Sequence, residues 1–142
     1  MSTAVTTRLA AATDGDLLGS VDPTADRARR ELVEAAIAGG RCWVAELDAR
    51  VVGYGIVSQH FFARDFVELL FVAASARRRG VGNAILSAIE RAVTADRLFT
   101  STNESNAPMR TLLAKSGYVE SGRIDNLDEG DPELVFVKFL SR

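Results

Sequence analysis

Cysteine and histidine each occur once in this chain, at Cys42 and His60. A lone cysteine excludes an internal disulfide framework and a cysteine-rich zinc site, and it fits a reducing compartment. Long apolar runs are missing too. The longest, Leu69 to Ala74, falls well short of the roughly 20 residues that a membrane span needs. Near the N-terminus only Leu9 to Ala12 is apolar, too short for the core of a secretory signal. The chain therefore reads as cytoplasmic, without a membrane partner. Excess positive charge is absent as well: 17 Lys and Arg stand against 19 Asp and Glu, a formal net charge of −2, which argues against a nucleic-acid partner. There is no internal repeat, low-complexity tract or Pro/Gly/Ser linker. What remains is an ordinary globular composition, 47% apolar and 25% charged over 142 residues. That length suits one domain, 1–142, able to bury a core.

Strands and helices alternate along the chain. Val5 to Leu9 reads as a first strand, and Thr13-Asp14-Gly15-Asp16 as the cap of a short helix. Asp22-Pro23 is expected to open a stronger helix, with Ala25, Ala28, Leu32, Val33, Ala36 and Ile37 on one face and Gly39-Gly40 as its stop. Cys42 to Leu47 and Val51 to Gln59 form a hairpin about Asp48-Ala49-Arg50. Val67 to Ala73 is nearly continuous in apolar residues, as a strand covered on both faces would be. It feeds a helix over Gly80 to Ala95, with apolar spacing at Val81, Ile85, Ala88, Ile89, Ala92 and Val93. Then come a short strand, Leu98 to Thr102, and a helix capped by Asn106 with Pro108 in its first turn and Gly117 at its end. Tyr118 to Ile124 and Leu134 to Leu140 are the last strands, suited to pairing across a two-fold axis in a homodimer. The whole is a mixed α/β fold with helices covering a sheet.

The strand-to-helix junction Arg77-Arg78-Arg79-Gly80-Val81-Gly82-Asn83 carries the chemistry. Small residues there let several backbone amides converge, and with the positive end of a helix dipole they form an anion site suited to a pyrophosphate. The dinucleotide fingerprint would require a third glycine where Ile85 stands, and the Walker loop Lys and Ser or Thr where Asn83 and Ala84 stand. Neither fits.

Arg77-x-x-Gly80-x-Gly82, preceded by Val72, resembles the acyl-CoA-binding signature of the GNAT superfamily of N-acetyltransferases. The likeness continues at Asn106, Leu112, Lys115, Gly117 and Tyr118, which match that family's second motif. The resemblance implies a single-domain, mostly antiparallel mixed sheet flanked by helices, with a splayed central pair of strands formed by Val67–Ala73 and Leu98–Thr102. It implies acetyl-CoA as cosubstrate, with no metal. The backbone of Leu70, Phe71 and Val72 would bind the pantetheine arm. Arg77, Arg78, Arg79, Gly80, Val81, Gly82 and Asn83 would surround the pyrophosphate, and Asn106 would contact the cosubstrate while capping its helix. The implied activity is transfer of an acetyl group to the primary amine of a small molecule or peptide by direct attack in a ternary complex.

An alkyl ammonium group has a pKa of about 10.4, so such an acceptor needs a base. Glu68 is the candidate, because it shares strand parity with Leu70 and Val72 and interrupts an otherwise apolar run. His60 is a second, subordinate group for carrying a proton away. The family's general-acid Tyr is replaced by Leu113, and a second basic Glu by Ser101. Tyr118 and Ser116 are the nearby hydroxyls; Tyr118 is the candidate acid, with the family's structural aromatic as its alternative reading. These departures leave open a module of the same fold that binds acyl-CoA as a sensor or interaction partner without turnover. Cys42 and Trp43 read as core residues. Asp125, Asp128, Glu129, Asp131 and Glu133 stud one loop and read first as solvation of a turn, with steering of a cationic acceptor as the functional alternative.

Overall fold

The computed structural model describes residues 4–141; Met1–Thr3 and Arg142, which belong to the expected 1–142 domain, lie outside the described residues. The chain runs β1 (Thr6–Leu9), a 3-10 turn (Ala12–Asp14), α1 (Gly15–Val21), α2 (Arg27–Ala38), β2 (Cys42–Leu47), β3 (Arg50–Phe61) and β4 (Arg64–Val72). A second 3-10 turn (Ala74–Ala76) leads into α3 (Val81–Ala92), followed by β5 (Arg97–Asn103), α4 (Ala107–Lys115), β6 (Val119–Ile124) and β7 (Glu133–Phe139). The strands form one sheet in the order β1-β2-β3-β4-β5-β7-β6. It is mostly antiparallel. The parallel pairing, β4 with β5, comprises Phe66↔Phe99 and Val67↔Thr100, short for strands of nine and seven residues. The mixed α/β architecture expected from the sequence is thus present. No described helix is long and apolar enough to cross a membrane.

The described chain divides into two compact units, residues 4–57 with Leu69–Ala92, and Ser58–Glu68 with residues 93–141. In the first unit, Asp48 and Ala49 both take left-handed φ, 54° and 61°. They close the β2–β3 hairpin in the sense that matches strand twist. The alternation of β3 then divides its side chains. Tyr54 and Ile56 enter a core with Leu18, Val33, Ala36, Cys42 and Val44. Gly53 and Gly55 face α3, whose Val81, Ile85 and Ile89 would meet any Cβ placed there. Val81, Ile85, Ala88 and Ile89 of the apolar stripe read from the sequence are buried on α3 together with Leu86, whereas Ala92 is exposed and Val93 lies beyond the helix.

Two helix starts differ from the sequence reading. The Thr13–Asp16 signal falls on the first 3-10 turn and the opening of α1, where Asp14 accepts hydrogen bonds from the Ala11 amide (2.6 Å) and from Arg8 (2.8 and 3.0 Å). Asp22-Pro23 does not open α2. Asp26 does, its Oδ1 accepting from the Arg29 amide at 2.8 Å. Asp22 is instead drawn inside. Its Oδ1 accepts from the Thr24 amide (2.9 Å) and hydroxyl (2.5 Å), and its Oδ2 from Tyr54 Oη (2.7 Å) beside the Arg29 guanidinium (2.8 Å). Burial by itself would raise the carboxyl's pKa. The donors from Thr24 and Tyr54 and the charge of Arg29 outweigh it and hold the group below its ordinary value.

In the second unit Leu98, Thr100 and Thr102 are buried at alternate positions of β5, and β7 buries Leu134 to Val137. Thr100 Oγ1 donates to the Val67 carbonyl at 3.1 Å, tying β5 to β4. The Asp125–Pro132 loop is pinned by its carboxylates. Asp128 accepts from Asn103 (2.8 Å), Asp131 from Ser105 (2.6 Å) and Glu133 from Ser101 (2.7 Å), while Asp125 pairs with Arg123 (2.7 Å). These bonds favour the structural reading of the acidic run over steering.

Gly53→Ala would drive a Cβ to within 2.7 Å of the Phe71 carbonyl oxygen, a backbone atom. The variant is expected to lose about 1–3 kcal/mol, read as a lower thermal midpoint by circular dichroism. Asp22→Asn is expected to cost about 3 kcal/mol at neutral pH. Because the folded carboxyl is held below its ordinary value, its contribution is present above about pH 4 and is lost as pH falls through the folded pKa. Urea midpoints measured against pH should therefore fall less steeply on the acid side in Asp22→Asn than in the parent.

Candidate active site

In the first unit β4 ends at Val72, and Ala73 donates its amide to the Val52 carbonyl at 2.8 Å. The sequence has the strand feeding the helix through an Arg-rich, Gly-containing turn. The structure inserts the 3-10 turn Ala74–Ala76, and α3 opens at Val81 and closes at Ala92, shorter than the expected Gly80 to Ala95. Between them Arg78 and Gly80 take left-handed φ, 64° and 79°. Gly80 adopts this at little cost, whereas Arg78 is held there against roughly 1–2 kcal/mol of steric strain. The curl turns the main chain toward the first turn of α3, where helical amides have no intrahelical acceptor and the dipole is positive. A Cβ at Gly80 would meet nothing within 4 Å, so the approach to this backbone is open. Gly82 is buried within that first turn.

Arg77, Arg78 and Arg79 are exposed, and among the described residues none makes an ion pair. Beside the turn lies a cavity of about 440 Å³, lined in part by Arg50, Val52, Ala73, Ser75 and Arg79. Exposed arginines gather at this end of the unit, where Asp48 also lines the cavity. Leu70, Phe71 and Val72 are half-buried. Phe71 gives its ring to Tyr54 (centroids 5.6 Å apart) and to the Arg29 guanidinium (6.0 Å), so its side chain serves the fold.

In the second unit the β3–β4 hairpin turns at Phe62 and Ala63, both with left-handed φ of 53° and 58°. It brings together three residues. Glu68 Oε1 accepts from Ser58 Oγ at 2.7 Å and lies 2.9 Å from His60 Nδ1. The Glu68 side chain is 20% exposed and that of His60 78%. Among the described residues Glu68 Oε2 has no hydrogen-bond partner, so one carboxylate oxygen is held and the other is open. Ser58 was not legible as a site residue: a serine within an apolar strand carries no mark until the hairpin brings it to Glu68.

Asn106 caps α4 as expected, its Oδ1 accepting from the Met109 amide at 3.2 Å. Leu113, at the position of the family's Tyr, is wholly buried, and the Tyr118 amide donates to its carbonyl at 2.9 Å. Tyr118 is buried too, its ring 5.8 Å from Lys138 Nζ. The position that resemblance reserves for an acid is thus a core position here.

Comparison with known proteins follows this geometry. A family model described as an acetyltransferase (GNAT) domain matches residues 38–120. Among solved structures, a GNAT-family acetyltransferase from Bacillus cereus is 31% identical with a TM-score of 0.91, over 98% of this chain and 99% of that one. The yncA protein of Salmonella typhimurium, solved with its cofactor acetyl-CoA, is 19% identical with a TM-score of 0.76, over 98% of this chain and 95% of that one. A ribosomal-protein-alanine N-acetyltransferase from Brucella melitensis is 23% identical with a TM-score of 0.74, over 95% of this chain and 99% of that one. The last two similarities speak to fold alone. No curated protein matches the sequence.

Cys42 is sealed in the first unit's core, and burial pushes its thiol up to about 12. It is expected to resist a thiol-reactive dye at pH 8 in the folded protein and to react fully in urea, since only the thiolate attacks. Rapid labelling of the folded chain would return Cys42 to the list of reactive groups.

Proposed function

The chain belongs to the GNAT acetyltransferase family, and we propose that it is an acetyl-CoA-dependent N-acetyltransferase. In this reading an acetyl group moves to the primary amine of a small molecule or peptide by direct attack in a ternary complex. The observation that carries the reading is the turn before α3, where left-handed Arg78 and Gly80 aim open backbone toward a helix N-terminus among unpaired arginines. The acetyl-CoA of the Salmonella protein and the amine chemistry in the Brucella enzyme's name support the same assignment.

The cosubstrate supplies an activated acetyl thioester whose leaving thiolate resembles that of cysteine, with a pKa of about 8.5. The chain's own groups do the rest. Backbone amides from Arg78 to Asn83 hold the pyrophosphate, with Arg77 and Arg79 adding charge. The main chain of Leu70, Phe71 and Val72 receives the pantetheine arm, and an amide near Val72 meets the developing oxyanion. Asn106 adds a contact from the start of α4. Glu68 stands two residues before Leu70 on the same strand and takes the acceptor's proton on its open oxygen. Tyr118 is the candidate hydroxyl for the thiolate, a role that a leaving group of that pKa makes dispensable.

Calorimetry is expected to register association of both CoA and acetyl-CoA with the folded chain. Thiol release should require acetyl-CoA together with an amine, scored across polyamines, aminoglycosides, amino acids and N-terminal peptides. Glu68→Gln should lower kcat by about 10²- to 10⁴-fold while leaving acetyl-CoA affinity intact. Absence of any heat with CoA would overturn the cosubstrate assignment, and binding without turnover on the whole panel would favour a sensor.

A further inference from the structure

The β3–β4 hairpin holds Glu68 unequally at its two oxygens. Oε1 is engaged twice, by Ser58 Oγ at 2.7 Å and His60 Nδ1 at 2.9 Å, whereas Oε2 has no partner among the described residues. Ser58 is buried, and its Oγ also accepts from the His60 amide at 3.4 Å. With that lone pair taken, the Ser58 hydroxyl hydrogen is directed to Glu68. The His60 ring donates to the carboxylate as its Nδ1–H tautomer, because an ionised carboxylate only accepts.

We infer that Ser58 and His60 are positioning residues that clamp Glu68 Oε1 and so leave Oε2 as the basic atom. This rests on the reading of Glu68 as the base. A glutamate has three side-chain torsions, and an untethered one spreads its basic lone pairs over many directions; two donors on one oxygen reduce that spread to a narrow cone. The arrangement therefore fixes the aim of the open oxygen. In the transfer step the amine nitrogen bonds to the acetyl carbon, the carbon–sulfur bond breaks with its electron pair going to sulfur, and the nitrogen's proton passes to Oε2.

Steady-state thiol release with acetyl-CoA and the panel amine that turns over fastest tests the clamp. Ser58→Ala is expected to lower kcat about tenfold with both KM values unchanged, the loss of a hydrogen bond to a charged group. His60→Ala should lower kcat a few-fold, the smaller effect following from its exposure. His60→Asn, whose Nδ2 falls near the position of Nδ1, should recover most of that loss, whereas His60→Gln should not. Should Ser58→Ala fold poorly by circular dichroism, Ser58→Thr, which keeps the hydroxyl, and the His60 series carry the test. Because His60 is the only histidine, its imidazole gives a single set of NMR signals, and Glu68→Gln should move the Nδ1 shift.

Full kcat in both alanine variants, with Glu68→Gln inactive, would overturn the clamp and leave the base assignment standing. Full turnover in Glu68→Gln would remove the base itself. His60→Asn as slow as His60→Ala, with an Nδ1 shift insensitive to Glu68→Gln, would strike out the histidine half of the proposal.

Discussion

Helix α3 lies against β3 because two positions on that strand carry no side chain. Cβ atoms at Gly53 and Gly55 would come within 2.7 Å of the Phe71 carbonyl oxygen and 2.5 Å of Ile85 Cγ2. The space they leave is filled by the apolar stripe of the helix, so packing sets its distance from the strand. Its N-terminus is then directed by the core, and the exposed turn inherits that direction. The strain at Arg78 is tolerable for the same reason: a curl held between a tied strand end and a buried helix cannot relax without disturbing both.

The two units contribute different groups to the proposed function. The first offers an open backbone turn and exposed arginines, which suit a ligand of high negative charge. The second offers one carboxylate held by Ser58 and His60. Leu113, at the position of the family's acid, belongs to the core, so on the proposed reading turnover rests on the quality of the leaving group and the placement of the base.

Much of this was legible in the residues. Element order, the glycine-containing turn before α3, the cap at Asn106 and the core placement of Cys42 follow from local patterns such as periodicity and glycine placement. What was not legible depends on partners distant in sequence. Asp22 followed by proline has the form of a helix start, yet Tyr54 and Arg29 draw its carboxylate into the core and leave the cap to Asp26. The turn at Phe62-Ala63 carries neither Gly nor Asn, the usual marks of left-handed backbone. Without that turn, neither Ser58 nor His60 can be assigned to Glu68. A fragment's own preferences reveal the scaffold, whereas convergence of side chains is a property of the folded sheet.

That same turn constrains how the chain can diversify. Strand side chains alternate faces, so inserting or deleting one residue between Phe61 and Arg64 would slide Ser58 and His60 past Glu68 and send them to the wrong side. Lengthening the connection between β6 and β7 has no such effect on them. The two-residue tip at Phe62-Ala63 is accordingly length-locked, a constraint that the β6–β7 connection does not share.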